Sequence, residues 1–479
     1  MRVIFDSAAL KPALTELARI APSKPGGLPV LQSAYIEVLD THVLLVAQDA
    51  QVGLAYNAER RFGSTLGTTL APAAKLLKLV TAGSGDVTIT APDYDGETPP
   101  TKEVTCKEPM IDTDAITTRE EMPTMHDLPV KYVDVTRTVH ANEWSIDVIC
   151  PPFKAALQVL PHWDYPDGGE LDSVLRNGFD GASRRESYYE EVVDTESITS
   201  RKAFPTVESL PTFRVQKSRT VPFTHADMLV FKHSELKGIL KRVKFAMAKG
   251  DIRYYLNGAC FDFGYHQRGA IVATDGHRLA AEFIGLGDDQ YRDPRNDTRN
   301  QYIIPCDAID HLYRLLSTSV ESKVTAKFSE HVAEFDFGDG SRLVTKCIDG
   351  RFPDYLSVIP YETGSAVTCS TAVLLKQVKA IAPFSNEKNK GVRLTIEGEL
   401  LTLSAKNPDG DEVTVDMPCT RGGEVTDYEI GFNVNYLLDV LSAINTKEVD
   451  LRFNDPNSSC LITPHDVGST QYVIMPMRL

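Results

Sequence analysis

One short group of residues has the types needed for acid–base chemistry. His277 follows Asp275 by two positions in the order Asp-Gly-His, an arrangement in which a carboxylate could orient a general base. The chain has no Gly-Lys dipeptide and no G-x-S-x-G, H-E-x-x-H or G-x-G-x-x-G motif, so it lacks common signatures of phosphate loops, serine hydrolases, zinc proteases and dinucleotide folds. We therefore interpret Asp-Gly-His as a turn at the end of a strand and predict no catalytic residue.

Two further features could bind a metal. The acidic run at 93–97 begins as a calcium loop does, but Thr98 and Val104 stand where such a loop requires Gly and Glu. The eight cysteines are scattered without a Cys-x-x-Cys pair, at Cys106, Cys150, Cys260, Cys306, Cys347, Cys369, Cys419 and Cys460. We expect free thiols of a reducing compartment, with no metal and no cofactor.

Basic residues on amphipathic segments are a stronger signal. Between residues 234 and 249 apolar residues recur at helical spacing, and the opposite face carries Lys237, Lys241, Arg242 and Lys244, with Lys249 at the end. Comparable segments carry Lys11, Arg19, Lys75, Lys78, Lys376 and Lys379. Such faces are typical of contact with nucleic-acid phosphates and also of ordinary solvated helices, so both interpretations stay open.

The net charge of -16 at first argues against nucleic acid as a partner. However, residues 91–194 contain 22 Asp and Glu against 9 Lys and Arg, which places 13 of the 16 excess negative charges in about a fifth of the chain. Because the rest is nearly neutral, the charge distribution leaves a basic surface possible.

The chain repeats one order of elements three times: an amphipathic helix, strands, a second helix and a strand. The helices are centred near Leu10 and Leu76, Leu236 and Ile309, and Leu374 and Leu437. Repeats two and three begin 138 residues apart and repeats one and two 226 apart, so repeat one holds 88 surplus residues. We predict one acidic insertion at about 92–194, with a possible strand at 130–139, and closing strands of repeat one near 197–205.

Size and hydropathy indicate a globular chain. At roughly 150 residues per domain, 479 residues correspond to about three domains. No apolar run approaches the ~20 residues of a membrane span, and the N-terminus has no signal-peptide pattern. We expect a cytoplasmic protein with no membrane partner.

Six segments resemble the bacterial sliding clamps, the β subunits of DNA polymerase III. They are DIRYYLNG at 251–258, VATDGHRLA at 272–280, DGRFPDY at 349–355, SNEKNKGVRL at 385–394, EIGFNVNYLLDVL at 429–441 and YVIMPMRL at 472–479. The resemblance covers about 228–479 and is weaker over 1–91.

The resemblance implies an α+β fold of three repeated DNA-clamp domains per chain, with helices lining a ring and sheets outside. The domains would be 1–227, interrupted by the insertion at about 92–194, then 228–360 and 361–479. The implied function is a non-enzymatic homodimeric ring around double-stranded DNA, without sequence preference, that tethers the replicative polymerase and is loaded by a clamp loader. The alternative is a specialised accessory clamp whose insertion binds a dedicated partner or carries a separate activity.

The resemblance also implies sites. A short peptide of a partner would enter a cleft formed by Leu256, Thr274, Gly276, His277, Arg278, Leu279, Pro353, Val358, Asn433, Tyr436, Ser459, Val473, Ile474, Met475, Pro476, Met477, Arg478 and Leu479. With the basic helix, it implies DNA contacts at Lys24, Lys241, Arg242, Lys249, Arg253, Tyr254 and Tyr255. The tyrosines could equally be strand residues pointing one inward and one outward. Subunits would meet at Pro383 and Phe384.

Three cleft positions depart from the family pattern: Ser357 replaces an Arg, Asn389 an aromatic residue and Asn457 an aliphatic residue. We expect a standard clamp-binding peptide to bind more weakly than it binds typical clamps. The acidic insertion should lie on the outer rim, because DNA phosphates would repel it from the lumen.

Overall fold

The structure is a computed structural model. It describes residues 1–21, 29–49, 51–83, 85–91, 101–111, 130–140, 145–150, 153–158, 174–177, 183–193, 212–222, 227–263, 268–285, 300–318, 323–360, 365–386, 390–408, 411–423, 428–455 and 457–478. In the strands of 101–158 and 183–222 it describes the backbone.

The elements alternate between short helices and antiparallel strands. Residues 1–158 form β1 (Arg2–Asp6), α1 (Ser7–Ile20), β2 (Ser33–Val38), β3 (His42–Gln48), β4 (Val52–Glu59), β5 (Gly67–Pro72), α2 (Ala73–Ala82), β6 (Asp86–Thr90), β7 (Thr101–Ile111), β8 (Val130–His140), β9 (Ser145–Cys150) and β10 (Phe153–Gln158). Residues 183–346 form β11 (Ser183–Val193), β12 (Thr212–Pro222), β13 (Asp227–Lys232), α3 (His233–Val243), β14 (Gly258–Phe263), β15 (Arg268–Thr274), β16 (Arg278–Gly285), β17 (Asn300–Pro305), α4 (Cys306–Thr318), β18 (Lys323–Phe328), β19 (Val332–Asp336) and β20 (Ser341–Lys346).

The third repeat has the same plan. It contains β21 (Ser365–Ser370), α5 (Thr371–Ile381), β22 (Gly391–Glu397), β23 (Leu400–Lys406), β24 (Glu412–Pro418), β25 (Thr420–Gly423), β26 (Tyr428–Asn433), α6 (Val434–Ala443), β27 (Glu448–Phe453), β28 (Cys460–Pro464) and β29 (Thr470–Ile474). The α+β fold class is confirmed, and all six helices predicted from apolar spacing are present in the structure.

Local sequence explains where the helices begin and what they bury. The Asp6 carboxylate caps α1 by accepting a hydrogen bond from the amide of Ala8, and Asn433 caps α6 in the same way through the amide of Asn435. In α3 the buried residues are His233 at the start and the apolar residues at helical spacing, Leu236, Ile239, Leu240 and Val243. Each helix therefore packs through one apolar stripe and leaves its polar face outward.

The chain divides into two compact units, residues 1–47 with 58–165, and residues 48–57 with 166–479. In the first unit, one sheet has the order β1-β6-β9-β10, and β2 pairs with both β3 and β5. Helices α1 and α2 pack together. Strands β7 and β8 form a separate two-stranded ribbon.

The strands that follow β6 in its sheet lie at 145–150 and 153–158. They are β9 and β10, because β9 pairs with β6 through Thr88 and Ile149 and β10 pairs with β9. Residues 197–205, where closing strands of repeat one were predicted, lie outside the described residues, and β9 and β10 fall inside the range 92–194 that was expected to be one insertion. Besides the ribbon of β7 and β8, the structure has a second two-stranded ribbon of β11 and β12, and β12 lies beyond the predicted insertion. The predicted strand at 130–139 is confirmed as β8.

In the second unit, a nine-stranded sheet joins repeats two and three in the order β17-β14-β15-β16-β29-β28-β27-β21-β25. Its seam is the antiparallel pair β16 and β29, which runs from Arg278 opposite Ile474 to Glu282 opposite Thr470. Strands β13, β18, β19, β20 and β4 form a further sheet, and β24-β23-β22-β26 form another. Helix α3 packs beside α4, and α5 beside α6.

Tyr254 and Tyr255 lie in a 3-10 turn over Tyr254–Leu256, and the following strand, of which they could have been part, begins only at Gly258. The Asn257 side chain explains the difference. Its Oδ1 accepts a hydrogen bond from the amide of Asp251, and its Nδ2 donates one to the Asp251 carbonyl. These two bonds close a compact loop that apolar spacing alone does not reveal.

Candidate partner cleft and basic groove

The Asp-Gly-His segment is a tight turn between β15 and β16. The Asp275 carboxylate accepts hydrogen bonds from the amides of His277 at 2.9 Å and Arg278 at 3.0 Å, and the Thr274 hydroxyl donates to the Arg278 carbonyl at 2.7 Å. Gly276 has a φ of +87°, which favours glycine. The prediction of a strand-end turn is confirmed, because Asp275 holds the backbone and the side chain of Arg278.

A cavity of about 180 Å³ opens beside this turn, at the seam of repeats two and three. It is lined by Arg253, Tyr255, Leu256, Thr274, Gly276, His277, Arg278, Leu279, Pro353, Tyr355, Val358, Val473 and Met475, and we call it the cleft. Ten of the eighteen positions that the resemblance implied are among them. Soft aliphatic, proline and methionine walls with a few polar groups at the rim are suited to a short apolar peptide.

The floor of the cleft is a hydrophobic cluster shared by the two repeats. Leu279, Phe352, Tyr355 and Ile359 from repeat two pack in one buried group with Val473 of repeat three, and each is at most 3% exposed. Met475 stands at the mouth with 38% of its surface exposed. The cleft therefore combines a rigid floor with one adaptable apolar side chain.

The C-terminal tail is fixed on both sides of the seam. The amide of Met475 donates to the His277 carbonyl of repeat two, and the amide of Met477 donates to the Gly431 carbonyl of repeat three, each at 2.9 Å. Ile474 is fully buried beside them. The tail is thus part of the structure of the cleft.

The remaining predicted cleft positions do not line this cavity. They are Asn433, which caps α6, Tyr436, Ser459, Ile474, Pro476, Met477 and Arg478. Leu479 and the departing position Asn389 lie outside the described residues. Of the other departing positions, Ser357 donates through its hydroxyl to the Asp354 carbonyl at 2.7 Å, and the Asn457 amide donates to Asp455.

Three residues of the cleft wall were not among the residues predicted for it. Tyr355 was named only as part of a motif, and Arg253 and Tyr255 were predicted to contact DNA. Arg253 lies against Gly276, where a Cβ atom would come within 2.8 Å of its Nη1. Its guanidinium donates to Asp251 at 2.8 Å and to the Asp275 carbonyl at 3.1 Å. The side-chain bond from Arg253, together with the bond from the Arg253 amide, lowers the pKa of Asp251 to about 2. The glycine at position 276 was the one feature of the sequence that could have indicated that Arg253 packs there.

Arg278 joins the cleft to the third repeat. Its guanidinium donates to Asp275, to Asp439 on α6 and to the Phe245 carbonyl, and its carbon lies 4.7 Å from the centre of the Tyr436 ring. Burial raises the pKa of Tyr436 above its usual value. With only 12% of its side chain exposed, Arg278 is a structural bridge that sets the distance between α6 and β16.

A second, charged hollow shares His277 and Arg278 with the cleft, and we call it the basic groove. It measures about 720 Å³ and is lined by Lys241, Lys244, Phe245, Met247, Ala248, Lys249, Asp251, Asp275, His277, Arg278, Asp310, Tyr436 and Asp439. Lys244 pairs with Asp310 at 2.8 Å and lies over the Tyr313 ring. Lys241 and Lys249 are exposed.

The predicted DNA contacts therefore separate into groups. Lys241, Lys249 and Tyr254, which is 55% exposed, face solvent near the basic groove. Arg253 and Tyr255 line the cleft, and Arg242 is bound to Glu282. Lys24 lies outside the described residues. The alternative interpretation, with one tyrosine inward and one outward, matches the structure: Tyr255 points into the cleft and Tyr254 is exposed. They do so on a turn and not on a strand.

The predicted subunit contacts lie on an exposed corner of repeat three. Pro383 and Phe384 form a 3-10 turn after α5, and Phe384 is 39% exposed. Strand β24 is the last strand of its sheet, as β10 is in the first unit. Each edge leaves one row of backbone groups available for pairing.

The described part of the chain lacks two kinds of feature, a metal-ligand cluster and a membrane-spanning helix. No three His, Cys, Asp or Glu side chains there come together as a metal site. No helix there has both the length and the apolar composition to cross a membrane.

Comparison with protein families assigns most of the second unit. The family model described as "DNA polymerase III beta subunit, central domain" matches residues 231–354, and the one described as "DNA polymerase III beta subunit, C-terminal domain" matches 356–478. Together they cover just over half of the chain. The beta sliding clamp of Pseudomonas putida is 36% identical over 248 residues, which are 52% of this chain and 65% of that protein. The aligned part is therefore just under two thirds of the relative.

Solved structures extend the similarity to the whole chain. The DNA polymerase III subunit beta of Pseudomonas aeruginosa superposes with a TM-score of 0.72 at 25% identity, covering 100% of both chains. A sliding clamp from the same organism bound to griselimycin gives a TM-score of 0.71 at 26% identity, also covering 100% of both chains. The first repeat, whose sequence resembles the family less closely, is thus included in the structural similarity.

Proposed function

We propose a function for this chain from its family: it belongs to the β subunits of bacterial DNA polymerase III, the sliding clamps. Two identical subunits form a closed ring around double-stranded DNA in the cytoplasm. The ring tethers the replicative polymerase and is placed on DNA by a clamp loader. It performs no chemistry on the DNA.

The observation that carries this proposal is the cleft at the seam of repeats two and three. It gathers apolar residues from three separated segments, 255–256, 353–358 and 473–475, around one cavity of about 180 Å³. The C-terminal tail closes one side through the Met475 amide. A protein that only encircled DNA would not need such a cavity, whereas one that must hold a polymerase and a loader needs a place for their peptides.

Contact with DNA is proposed through exposed cations without base recognition. Lys241 and Lys249 at the basic groove, Tyr254 and the position Lys24 supply contacts with phosphates that form and break rapidly. Because these are a few screened surface charges, they let the ring slide.

The ring closes through sheet edges and an apolar corner. The β24 edge of one subunit pairs with the β10 edge of its partner, and Pro383 and Phe384 pack at the junction. Antiparallel addition of one strand would join two open edges and remove both from solvent. The same junction must open for loading.

Loading on DNA tests the proposed function. The chain is incubated with a bacterial clamp loader, ATP and either closed circular or linear duplex, and bound protein is separated by gel filtration. A sliding clamp stays on the circles and leaves the linear DNA through its ends. Equal loss from both would show that the fold serves another purpose.

A further inference from the structure

Two neighbouring cations of α3 have different environments, although the sequence places both on one basic face. Lys241 is exposed and lines the basic groove. Arg242 donates from Nε to one oxygen of Glu282 at 2.8 Å and from Nη2 to the other at 2.9 Å. This paired geometry engages the guanidinium through two parallel hydrogen bonds.

The carboxylate of Glu282 is buried and is also bonded from the third repeat. Only 6% of its side chain is exposed. It accepts a hydrogen bond from the Thr470 hydroxyl at 2.6 Å and one from the Ser469 hydroxyl at 3.2 Å. Four donors thus surround its two oxygens, so the charge is compensated despite burial.

These bonds lie on the seam of the nine-stranded sheet. Glu282 on β16 is directly opposite Thr470 on β29, and the amide of Phe283 donates to the Ser469 carbonyl at 2.7 Å. Arg242 reaches this point from α3. Helix α3, strand β16 of repeat two and strand β29 of repeat three therefore meet at one carboxylate.

We propose that Arg242 is a positioning residue that fastens the basic helix to the seam through Glu282, and that it does not bind DNA phosphates. The bond makes α3 and β29 move as one body, so that Lys241 is presented at a fixed distance from the C-terminal tail. The claim about DNA binding rests on the proposed function. The claim that Arg242 links α3 to the seam does not depend on it.

The DNA arm compares neighbouring residues on one helix. Binding of a fluorescein-labelled 30-base-pair duplex is measured by anisotropy over a salt series, without loader, for the wild type, Lys241→Gln and Arg242→Gln, each checked for folding by circular dichroism. Lys241→Gln should reduce the slope of log affinity against log salt by about one, as expected for a lost phosphate contact. Arg242→Gln should leave the slope unchanged. A reduction by about one in Arg242→Gln would overturn the inference.

The structural arm uses hydrogen exchange of the full chain by mass spectrometry. Arg242→Gln and Glu282→Gln should each speed exchange of the amides of β16 and β29 by about tenfold, because breaking a partly buried charged pair loosens its seam. The double variant should exchange no faster than either single variant, and Lys241→Gln should match the wild type. Unchanged exchange in the two single variants, or additive effects in the double variant, would contradict the proposed link between α3 and the seam.

The two arms separate the possible failures. If Lys241→Gln leaves the salt slope unchanged while the exchange results are as expected, the proposed DNA contact on α3 is wrong. The link between Arg242 and Glu282 is then still supported. Arg242→Lys, which keeps the charge but cannot make two parallel bonds, guards against loss of folding. It should leave the salt slope unchanged and still speed exchange at β29. Wild-type exchange in this variant would contradict the two-bond geometry.

Discussion

The cleft and the basic groove share His277 and Arg278 but are built for different ligands. The cleft is small, about 180 Å³, and has a buried apolar floor, whereas the groove is about 720 Å³ and presents lysines beside aspartates. The first suits a ligand recognised by shape, and the second suits one held by screened charge. Under the proposed function, one turn at 274–278 separates a site for specific peptides from a surface that must not be specific.

The largest expected effect comes from Arg278→Ala, which alters one of the two residues common to both hollows. Asp275 and Asp439 lose their partner and α6 loses its bridge to β16, so unfolding free energy should fall by about 3 kcal/mol and peptide affinity by about a hundredfold. Chemical denaturation and anisotropy with a labelled clamp-binding peptide measure the two effects. The control Arg393→Ala, which breaks an exposed pair with Glu429, should change neither. Near-wild-type peptide affinity in folded Arg278→Ala would show that the two hollows are independent.

Met475→Ala should affect the cleft alone. The exposed methionine loses its contact with the peptide, so affinity should fall about tenfold while the affinity for duplex DNA stays constant. The matched variant is Val467→Ala, another exposed apolar residue of repeat three that does not line the cleft. An equal loss of peptide and DNA binding would contradict the separation of the two sites.

Replacing Lys241 and Lys249 together by Gln should affect the groove alone. The salt slope of duplex binding should fall by about two, with peptide affinity unchanged within about twofold. Lys406 and Lys447, exposed lysines outside the groove, give a control pair with the same change in net charge. If that control lowers the slope equally, general charge and not the groove determines DNA binding.

The smallest effect tests a departure of the cleft from its family. Ser357→Arg should strengthen binding of a standard clamp-binding peptide by about threefold, since a guanidinium adds donors for peptide carbonyls. Ser357→Ala should have no effect. If the wild type already binds this peptide as tightly as the Pseudomonas aeruginosa clamp does, the expected weaker affinity is wrong.

The repeat pattern, the helices and most of the cleft could be predicted from the sequence. Apolar spacing determines which face of a helix is buried. Most residues of the cleft lie in segments whose sequence resembles that of the family, so their positions could be carried over. Tyr436 was expected at the cleft and instead lies under Arg278 at the groove, because the position of a side chain on α6 depends on a bond from another repeat.

Other features depend on contacts that local sequence does not contain. Helical spacing places Arg242 on a basic face, but its partner Glu282 is 40 positions later on a different strand. Likewise, the loop containing Tyr254 is closed by the side chain of Asn257, and the closing strands of repeat one are identified by pairing with β6. In each case the deciding interaction is a side-chain hydrogen bond or a strand pairing, neither of which apolar spacing reveals.

The most direct test of the central claim is a single cut in a loaded circle. The labelled protein is loaded on closed circular DNA, free protein is removed, and retention is followed before and after a restriction enzyme cuts once. A closed sliding ring remains on the circle and is lost rapidly after the cut, while a nicking enzyme at the same site causes no loss. Equal retention on cut and uncut DNA would contradict the account, because it would mean that the chain holds DNA by contact and not by encircling it.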